Sequence, residues 1–178
     1  MRFKIRPMEF LQDILSELRQ EAEVTRRYLE NVDFSRSEFQ PHEKSEKLGR
    51  LAVHVAEILA WWINVLESNE LNFIDFEPRD ISSTDELLEY FDKLLEDAIK
   101  AISNANETEL TKEWSMKYGE DVLFTLNKKE VLRKFCLNHL IHHRAQLGVY
   151  LRMLDIPVPA VYGPSADDDN ITLIRKFS

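Results

Sequence analysis

The sequence predicts an all-α protein, in which four helices form a bundle and a short extended segment or hairpin lies between the third and fourth helices. Four segments carry apolar residues three or four positions apart, which is the spacing of one helix face. Glycine, which all-β folds use freely in turns, occurs only 4 times in the 178 residues. Apolar residues make up 44% of the chain, enough to fill one core, so we expect a single domain over residues 1–178.

The first predicted helix follows Pro7, a favourable residue in a first helical turn, and runs from about Met8 to Leu29. Its buried face is predicted to consist of Leu11, Leu15, Leu18, Ala22, Thr25 and Leu29. The second helix is predicted to begin near Ser45, which would act as its N-cap, and to end around Ser68. Its buried face is predicted to consist of Leu51, His54, Ile58, Trp61 and Val65.

The third helix is marked by a capping box, in which Glu86 follows Ser83 by three residues, and it is predicted to end at Ser103. Its buried face is predicted to consist of Leu88, Phe91, Leu95, Ala98 and Ile102. Residues 107–126 then alternate between apolar and polar side chains on both sides of a turn at Gly119. This pattern predicts a short hairpin or an extended segment that covers the helices.

The fourth helix begins with a similar cap pattern, Asn127 followed by Glu130, and is stopped by Pro157 and Pro159. Its buried face is predicted to consist of Leu132, Cys136, His139, His143, Leu147, Tyr150 and Leu154. The tail, residues 156–178, is expected to be an ordered strap followed by a mobile loop.

The charge of the chain limits the classes of partner. The net charge is −9 and the pI is about 5.1, whereas a protein that binds nucleic acid or an anionic membrane needs a basic face. We therefore expect neither partner. No apolar run approaches the roughly 18 residues of a membrane span. The single cysteine, Cys136, excludes an internal disulfide, so we expect a cytoplasmic protein.

Five histidines occur, and the positions of three of them indicate a metal site. His139 and His143 are four residues apart on the fourth helix, which puts both imidazoles on one face with Cβ atoms roughly 5–6 Å apart. His54, on the second helix, supplies a third ligand if the two helices face each other. The alternative is three core histidines with separate hydrogen-bond partners. His142 points away from this face and is expected to flank the site, while His42 is expected to be exposed in a loop.

Three neutral imidazoles favour a transition metal over magnesium or calcium. Zinc and nickel are the favoured ions, and iron, manganese and copper are the alternatives. A three-histidine site that leaves one position for water or substrate is typical of catalytic zinc, whereas structural zinc usually has four protein ligands. Cys136 lies on the same helix face and is either a further ligand or, more commonly for this residue type, an inert buried residue.

Other side chains are candidates for the surroundings of the metal. Glu57, one turn after His54, is either an orienting group or base or a solvent-facing helix residue. Trp61 either forms a wall of the pocket or packs in the core. Arg144 and Gln146 follow the histidine pair and are expected to tie the helix to the tail. No residue is assigned as catalytic.

Three segments of the sequence carry a family resemblance: Asn138–Arg152 in the final helix, Ile156–Asp167 directly after it, and Leu51–Glu57 followed by Trp61 and Trp62 in the second helix. They resemble the DinB-like superfamily. The resemblance spans nearly the whole chain in the order of elements, and it is most specific in the C-terminal segments. One departure is Ala145, where the family commonly has glycine. Alanine favours a helix by roughly 1 kcal/mol over glycine, so the fold is unaffected.

The resemblance implies a four-helix bundle with a metal site whose ligands match His54, His139 and His143. Some members resemble thiol-dependent S-transferases or isomerases, so the first expectation is a metal-dependent enzyme that transfers a low-molecular-weight thiol. A metal-dependent hydrolase and a non-catalytic metal-binding scaffold for stress responses are the alternatives. Members often form homodimers, and we expect the same here, with aromatic residues such as Trp62 and Phe73 supplying a second apolar face.

Overall fold

The computed structural model describes residues 7–74 and 76–168, and most of these residues are helical. The helices in this part of the chain are α1 (Pro7–Glu30), α2 (Leu48–Glu67), α3 (Thr84–Asn104), α4 (Glu107–Leu110), α5 (Lys128–Glu130) and α6 (Asn138–Met153). A π-helical segment, Val131–Leu137, joins α5 to α6, so that residues 128–153 form one continuous final helix. A short 3₁₀ turn, Phe34–Arg36, lies between α1 and α2.

A small sheet accompanies the helices, so the all-α prediction is wrong in this respect. Over the described residues it has three strands in the order β1 (Glu70–Asn72), β2 (Glu113–Tyr118) and β3 (Asp121–Asn127). The predicted hairpin is confirmed, because β2 and β3 pair antiparallel. The strand β1 was not predicted. It pairs in parallel with β2, which lies beyond the whole of α3 in the sequence, and three residues are too few to show an alternating pattern.

The turn of the hairpin depends on Gly119, whose φ of 61° lies in the left-handed region that favours glycine. The side chain of Asn72 in β1 binds both backbone groups of this glycine. Its Nδ2 donates to the Gly119 carbonyl at 3.0 Å, and its Oδ1 accepts from the Gly119 N–H at 2.9 Å. The first strand therefore holds the tip of the hairpin in place.

The core lies between the long helices, with α2 packed against α3 and the final helix, and α1 packed against α3 and α6. The sheet packs on this core through Trp114 of β2, which is fully buried and donates from Nε1 to Asn64 Oδ1 at 3.0 Å. Trp62 is also fully buried, which contradicts its predicted place on a second apolar face. No helix among the described residues is long and apolar enough to cross a lipid bilayer.

Two of the three predicted helix caps are confirmed. The side chains of Ser83 and Asn127 accept from the backbone N–H of Glu86 and Glu130. Ser45 was predicted wrongly, because α2 begins at Leu48 without a side-chain cap. The first N–H groups of α2 instead donate to carbonyls of the preceding loop, among them Leu48 N–H to Phe39 O at 2.9 Å. Backbone acceptors thus satisfy the donors that a serine cap would have served.

The tail returns along α1, as the prediction of an ordered strap requires. The Tyr28 hydroxyl donates to Pro159 O at 3.1 Å. Arg144 is buried, forms an ion pair with Glu21 Oε2 at 2.6 Å, and donates from Nη2 to the Tyr162 hydroxyl at 3.1 Å. This confirms that Arg144 ties the final helix to the tail. The mobile loop was predicted for the later part of the tail, and residues 169–178 of the tail lie outside the described residues.

Candidate metal centre

Helices α2 and α6 bring the imidazoles of His54, His139 and His143 together. Each of the three offers one nitrogen, and these nitrogens all lie within 4.8 Å of one another. The Nε2 atoms of His54 and His139 are 3.2 Å apart, which is within the span of about 4 Å open to two nitrogen ligands of one zinc ion. The chemistry and spacing of the donors therefore fit a divalent transition metal.

The three rings are suited to metal binding because they hold their protons weakly. Burial lowers the pKa of His54 to about 3, and repulsion from His143 and His139 in their protonated forms and from Arg50 acts in the same direction. Burial and the neighbouring His143 and His142 lower the pKa of His139 to about 4. Burial also lowers the pKa of His143. Near neutral pH all three imidazoles are uncharged, which is the form that binds a metal ion.

The π-helical segment ends directly before the histidine pair. At its end the N–H of Asn138 donates to the carbonyl of Arg133, a bond across five residues instead of the usual four. Phe135, within this segment, stacks on Trp61 of α2 with ring centroids 4.8 Å apart and an interplanar angle of 14°. Its ring also lies 5.3 Å from that of His139. The segment thus places an aromatic contact between α2 and the final helix at the edge of the cluster.

Gln146 fixes the protonation of His143. The Nδ1 of this imidazole lies 2.7 Å from Gln146 Oε1. An amide oxygen only accepts hydrogen bonds, so Nδ1 carries the proton and Nε2 keeps its lone pair for a ligand. The sequence prediction for Gln146 was a tie to the tail, and that prediction is wrong. The spacing His143 to Gln146, three residues on one helix, is the feature of the sequence that indicates this contact.

Glu57 is neither a solvent-facing residue nor a hydrogen-bond partner of a histidine. It is buried, with its Oε2 at 2.7 Å from Arg50 Nη1, and its Oε1 accepts from the backbone N–H of Arg79 at 3.1 Å. The distance from Oε2 to His54 Nδ1 is 4.0 Å, too long for a hydrogen bond. Glu57 therefore holds Arg50 beside His54 and does not orient the imidazole itself.

The remaining candidate residues lie beside the histidine cluster or away from it. Trp61 is buried in the core and does not line the cavity beside the cluster. It borders the cluster from the core side, with its ring centroid 4.9 Å from that of His139 and 5.6 Å from that of His54. His142 is exposed and touches the cluster only through its ring contact with His143, and His42 is exposed in its loop. Cys136 is fully buried, burial raises the pKa of its thiol, and it is not part of the histidine cluster.

A cavity of about 530 Å³ opens beside the cluster. It is lined by Lys44, Ser45, Glu46, Arg50, Leu51, His54, His143, Gln146 and Tyr150. Two of the three ligand candidates therefore face a space large enough for a small molecule. The lining carries two cationic side chains and one acidic side chain, which makes the cavity more positive than the protein as a whole.

Comparisons with known proteins agree with this architecture. A DinB-like protein from Bacillus subtilis superposes with a TM-score of 0.65 at 19% identity, covering 84% of this chain and 96% of that one. A DinB-like protein from Bacillus cereus superposes with a TM-score of 0.64 at 20% identity, covering 85% of this chain and 97% of that one. The mycothiol-dependent maleylpyruvate isomerase is less similar, with a TM-score of 0.56 at 16% identity, covering 78% of this chain and 60% of that one.

Sequence comparison identifies the family of the chain. No curated protein matches the chain at a significant level. The model of the DinB family matches residues 8–173, which is nearly the entire chain. The chain therefore belongs to the DinB family.

Proposed function

We propose that this chain is a four-helix bundle of the DinB-like type that binds one divalent metal ion and acts as a low-molecular-weight-thiol S-transferase. The observation that carries the proposal is the cluster of His54, His139 and His143, three neutral imidazoles at the wall of an open cavity. Zinc or nickel is the favoured ion, with iron, manganese and copper as alternatives.

The protein groups around the cluster serve such a reaction in separate ways. A divalent ion bound there would stabilise a substrate thiol as its thiolate, the nucleophilic form, at neutral pH. Gln146 holds His143 in the tautomer with Nε2 available. Trp61 and Phe135 exclude water from the core side, so that a small molecule reaches the cluster through the cavity side.

The thiol part of the proposal draws on the solved structures. One structure of the same fold is a mycothiol-dependent isomerase, a protein whose reaction uses a small thiol. Its identity with this chain is 16%, so it supports the class of reaction as an analogy between folds.

We extend the proposal to location and partners. The protein is cytoplasmic, takes a small-molecule substrate such as a thiol, binds neither nucleic acid nor membrane, and forms a homodimer. The net charge of −9 supports the exclusion of nucleic acid. Exposed apolar residues on α6, Val149 and Met153, are available for a homodimer contact. A monomer mass by light scattering at micromolar concentration would contradict the dimer.

Metal content of single alanine variants tests the site. We expect His54→Ala, His139→Ala and His143→Ala each to lose the ion, since each removes one of three ligands. His142→Ala is the matched control, because it removes an imidazole from the same helix that is not one of the three ligand candidates, and it should keep one ion per chain. Full occupancy in the His54→Ala and His143→Ala variants would place the ion elsewhere and remove the basis of the proposal.

The type of reaction needs a separate experiment. The metal-loaded protein is incubated with small thiols and electrophilic acceptors, and thioether formation is measured. We expect turnover that disappears in His54→Ala and persists in His142→Ala. Hydrolysis of ester or amide substrates without thiol transfer would favour the hydrolase, and a loaded protein inactive in both assays would favour the binding scaffold.

A further inference from the structure

Arg50 is the charged side chain beside the histidine cluster that the proposed function has not used. It lies one turn before His54 on α2, and both side chains line the cavity together with His143. A single carboxylate oxygen, Glu57 Oε2, lies 2.7 Å from Arg50 Nη1 and 4.0 Å from His54 Nδ1. The Arg50 guanidinium and the His54 imidazole therefore lie on either side of the same Glu57 oxygen.

Arg50 has N–H donors that its contact with Glu57 leaves unbonded. A guanidinium has five N–H donors in a planar fork that matches a carboxylate. Within residues 7–74 and 76–168, its hydrogen bond is the one from Nη1 to Glu57. The Arg50 side chain is 26% exposed and lines two cavities, the one beside the histidine cluster and a neighbouring one that Arg79 also lines. Donors that Glu57 leaves unbonded are therefore available at the boundary of the histidine cavity.

Arg50 is also held in place, which an anion-binding residue requires. Its partner Glu57 is only 4% exposed and is fixed by the backbone N–H of Arg79. A buried carboxylate of this kind binds one end of the guanidinium and limits its rotation. Binding an anion with the other end then costs little further side-chain entropy.

The charges of the cavity favour a negative ligand. Lys44 and Glu46 are a cationic and an acidic residue of the lining, and Arg50 is paired with Glu57, so these four charges cancel. Histidines bind an ion in their neutral form, so the two positive charges of a divalent ion remain uncompensated. A ligand that contributes a thiolate and a carboxylate would balance the ion and place its carboxylate beside the guanidinium.

We propose that Arg50 binds a carboxylate of the ligand in this cavity, and that the substrates are small thiols carrying a carboxylate a few bonds from the sulfur. The inference rests on the proposed function for the thiol. It goes beyond that function because it names the anionic group and the residue that recognises it. Arg50 is a binding residue here and takes no part in bond making.

Binding of matched thiols to the cobalt-loaded protein tests the inference without an activity assay. The probes are β-mercaptopropionate and β-mercaptopropionamide, which differ in charge and little in shape, and the signal is the absorption band from thiolate to cobalt. Charge-assisted hydrogen bonds of this type change affinity by about 10- to 100-fold. We expect the carboxylate to bind tighter than the amide by that factor in the wild-type protein.

Three variants assign the preference to Arg50. In Arg50→Gln combined with Glu57→Gln, which keeps a neutral hydrogen-bonded pair in place of the ion pair, the two thiols should bind equally. Glu57→Gln alone should keep the preference, because Arg50 remains. Arg79→Gln removes a cation that lines a neighbouring cavity and not this one, and it should keep the preference as well.

The outcomes separate this inference from the proposed function. Equal binding of the two thiols by the wild-type protein would overturn the inference and leave thiol binding intact. If neither thiol binds, the thiol proposal fails, and succinate against its monoamide succinamate then tests Arg50 by itself through the cobalt spectrum. Tighter binding of succinate than of succinamate, lost in the double variant, would still support the carboxylate site. Equal binding of the two compounds by the wild-type protein would overturn the inference.

Discussion

Single side chains around the histidine cluster would set the affinity for the proposed ion, and Gln146 is the clearest case. Its amide oxygen accepts from His143 Nδ1 at 2.7 Å and keeps Nε2 available. Partners of this kind typically change metal affinity by 10- to 100-fold. We expect Gln146→Ala to weaken metal binding by about 10- to 100-fold, measured by competition with a chelator of known affinity.

The conservative control for this prediction is Gln146→Glu. A carboxylate still accepts from Nδ1, so affinity should stay at or above that of the wild-type protein. Gln146 is exposed, so neither variant should change thermal stability without metal. Unchanged affinity in Gln146→Ala would show that the tautomer of His143 is fixed by something else.

The spacing of the residues explains which parts of the site the sequence revealed. His139 and His143 are a local pair, and their common face follows from the helix repeat alone. The role of Glu57 was missed, although it is the single Asp, Glu, Lys or Arg between Leu51 and Val65. A carboxylate in such an apolar stretch is a better candidate for a buried ion pair than for solvent exposure. Its partner Arg50 could not be assigned, because seven residues separate the two and only the structure shows the contact.

At the scale of elements, the sheet stabilises the end of α2 through the hydrogen bond from Trp114 Nε1 to Asn64 Oδ1. Replacing Trp114 by phenylalanine removes the donor and leaves space in a fully buried position. We expect Trp114→Phe to lower the free energy of unfolding by about 1–3 kcal/mol, measured by urea denaturation. Val122→Ala, at an exposed position of β3, is the control and should change it by less than about 0.5 kcal/mol. Equal effects of the two substitutions would mean that the sheet does not support the helices.

The elements that the sequence predicted correctly are those with a long periodic pattern or a local cap. All four long helices have such a pattern, and the caps at Ser83 and Asn127 are local in sequence. The start of α2 was misplaced because its first N–H groups bind loop carbonyls, including Phe39 O. Every residue type has a backbone carbonyl, so the sequence gives no signal for this kind of cap. The π-helical segment was missed because the apolar spacing through Cys136 fits an ordinary helix equally well.

For the whole molecule, the lowered pKa values of the histidines make stability depend on pH. In the unfolded chain these imidazoles take up protons below about pH 6.5, whereas in the folded, metal-free protein His54 and His139 do so only near pH 3 and 4. The folded state therefore binds fewer protons between these limits. Stability from this source is full above about pH 6.5 and is lost progressively as the pH falls below it.

We expect the melting temperature of the metal-free protein to fall between about pH 6.5 and pH 5, a range in which most carboxylates stay ionised. His54→Asn, which cannot take up a proton, should show a smaller fall in the same range. His142→Gln should keep the wild-type slope, because His142 is exposed. Identical slopes in wild type and His54→Asn, measured by calorimetry, would contradict the pKa assigned to His54.

The arrangement of the whole chain could be predicted in outline and not in its long-range contacts. Amphipathic faces and four helical segments are properties of the sequence, and they indicate that the helices pack together. The tail contact of Arg144 was predicted in kind, but its ion pair with Glu21 joins positions far apart on two helices. The parallel pairing of β1 with β2 likewise depends on where α3 returns the chain.

With the proposed ion bound, the position of the cluster between two helices would make metal supply a determinant of folding. His54 and His139 are 85 residues apart in the chain, so an ion that binds both is a reversible cross-link between its first and last thirds. The unfolded chain can offer only the local pair on residues 139 and 143, and thermodynamic linkage then favours the folded state. Each tenfold rise in free metal above the dissociation constant adds about 1.4 kcal/mol to stability. In a metal-starved cell a larger fraction of the chains would be open to proteases, so the amount of protein would follow the availability of its ion.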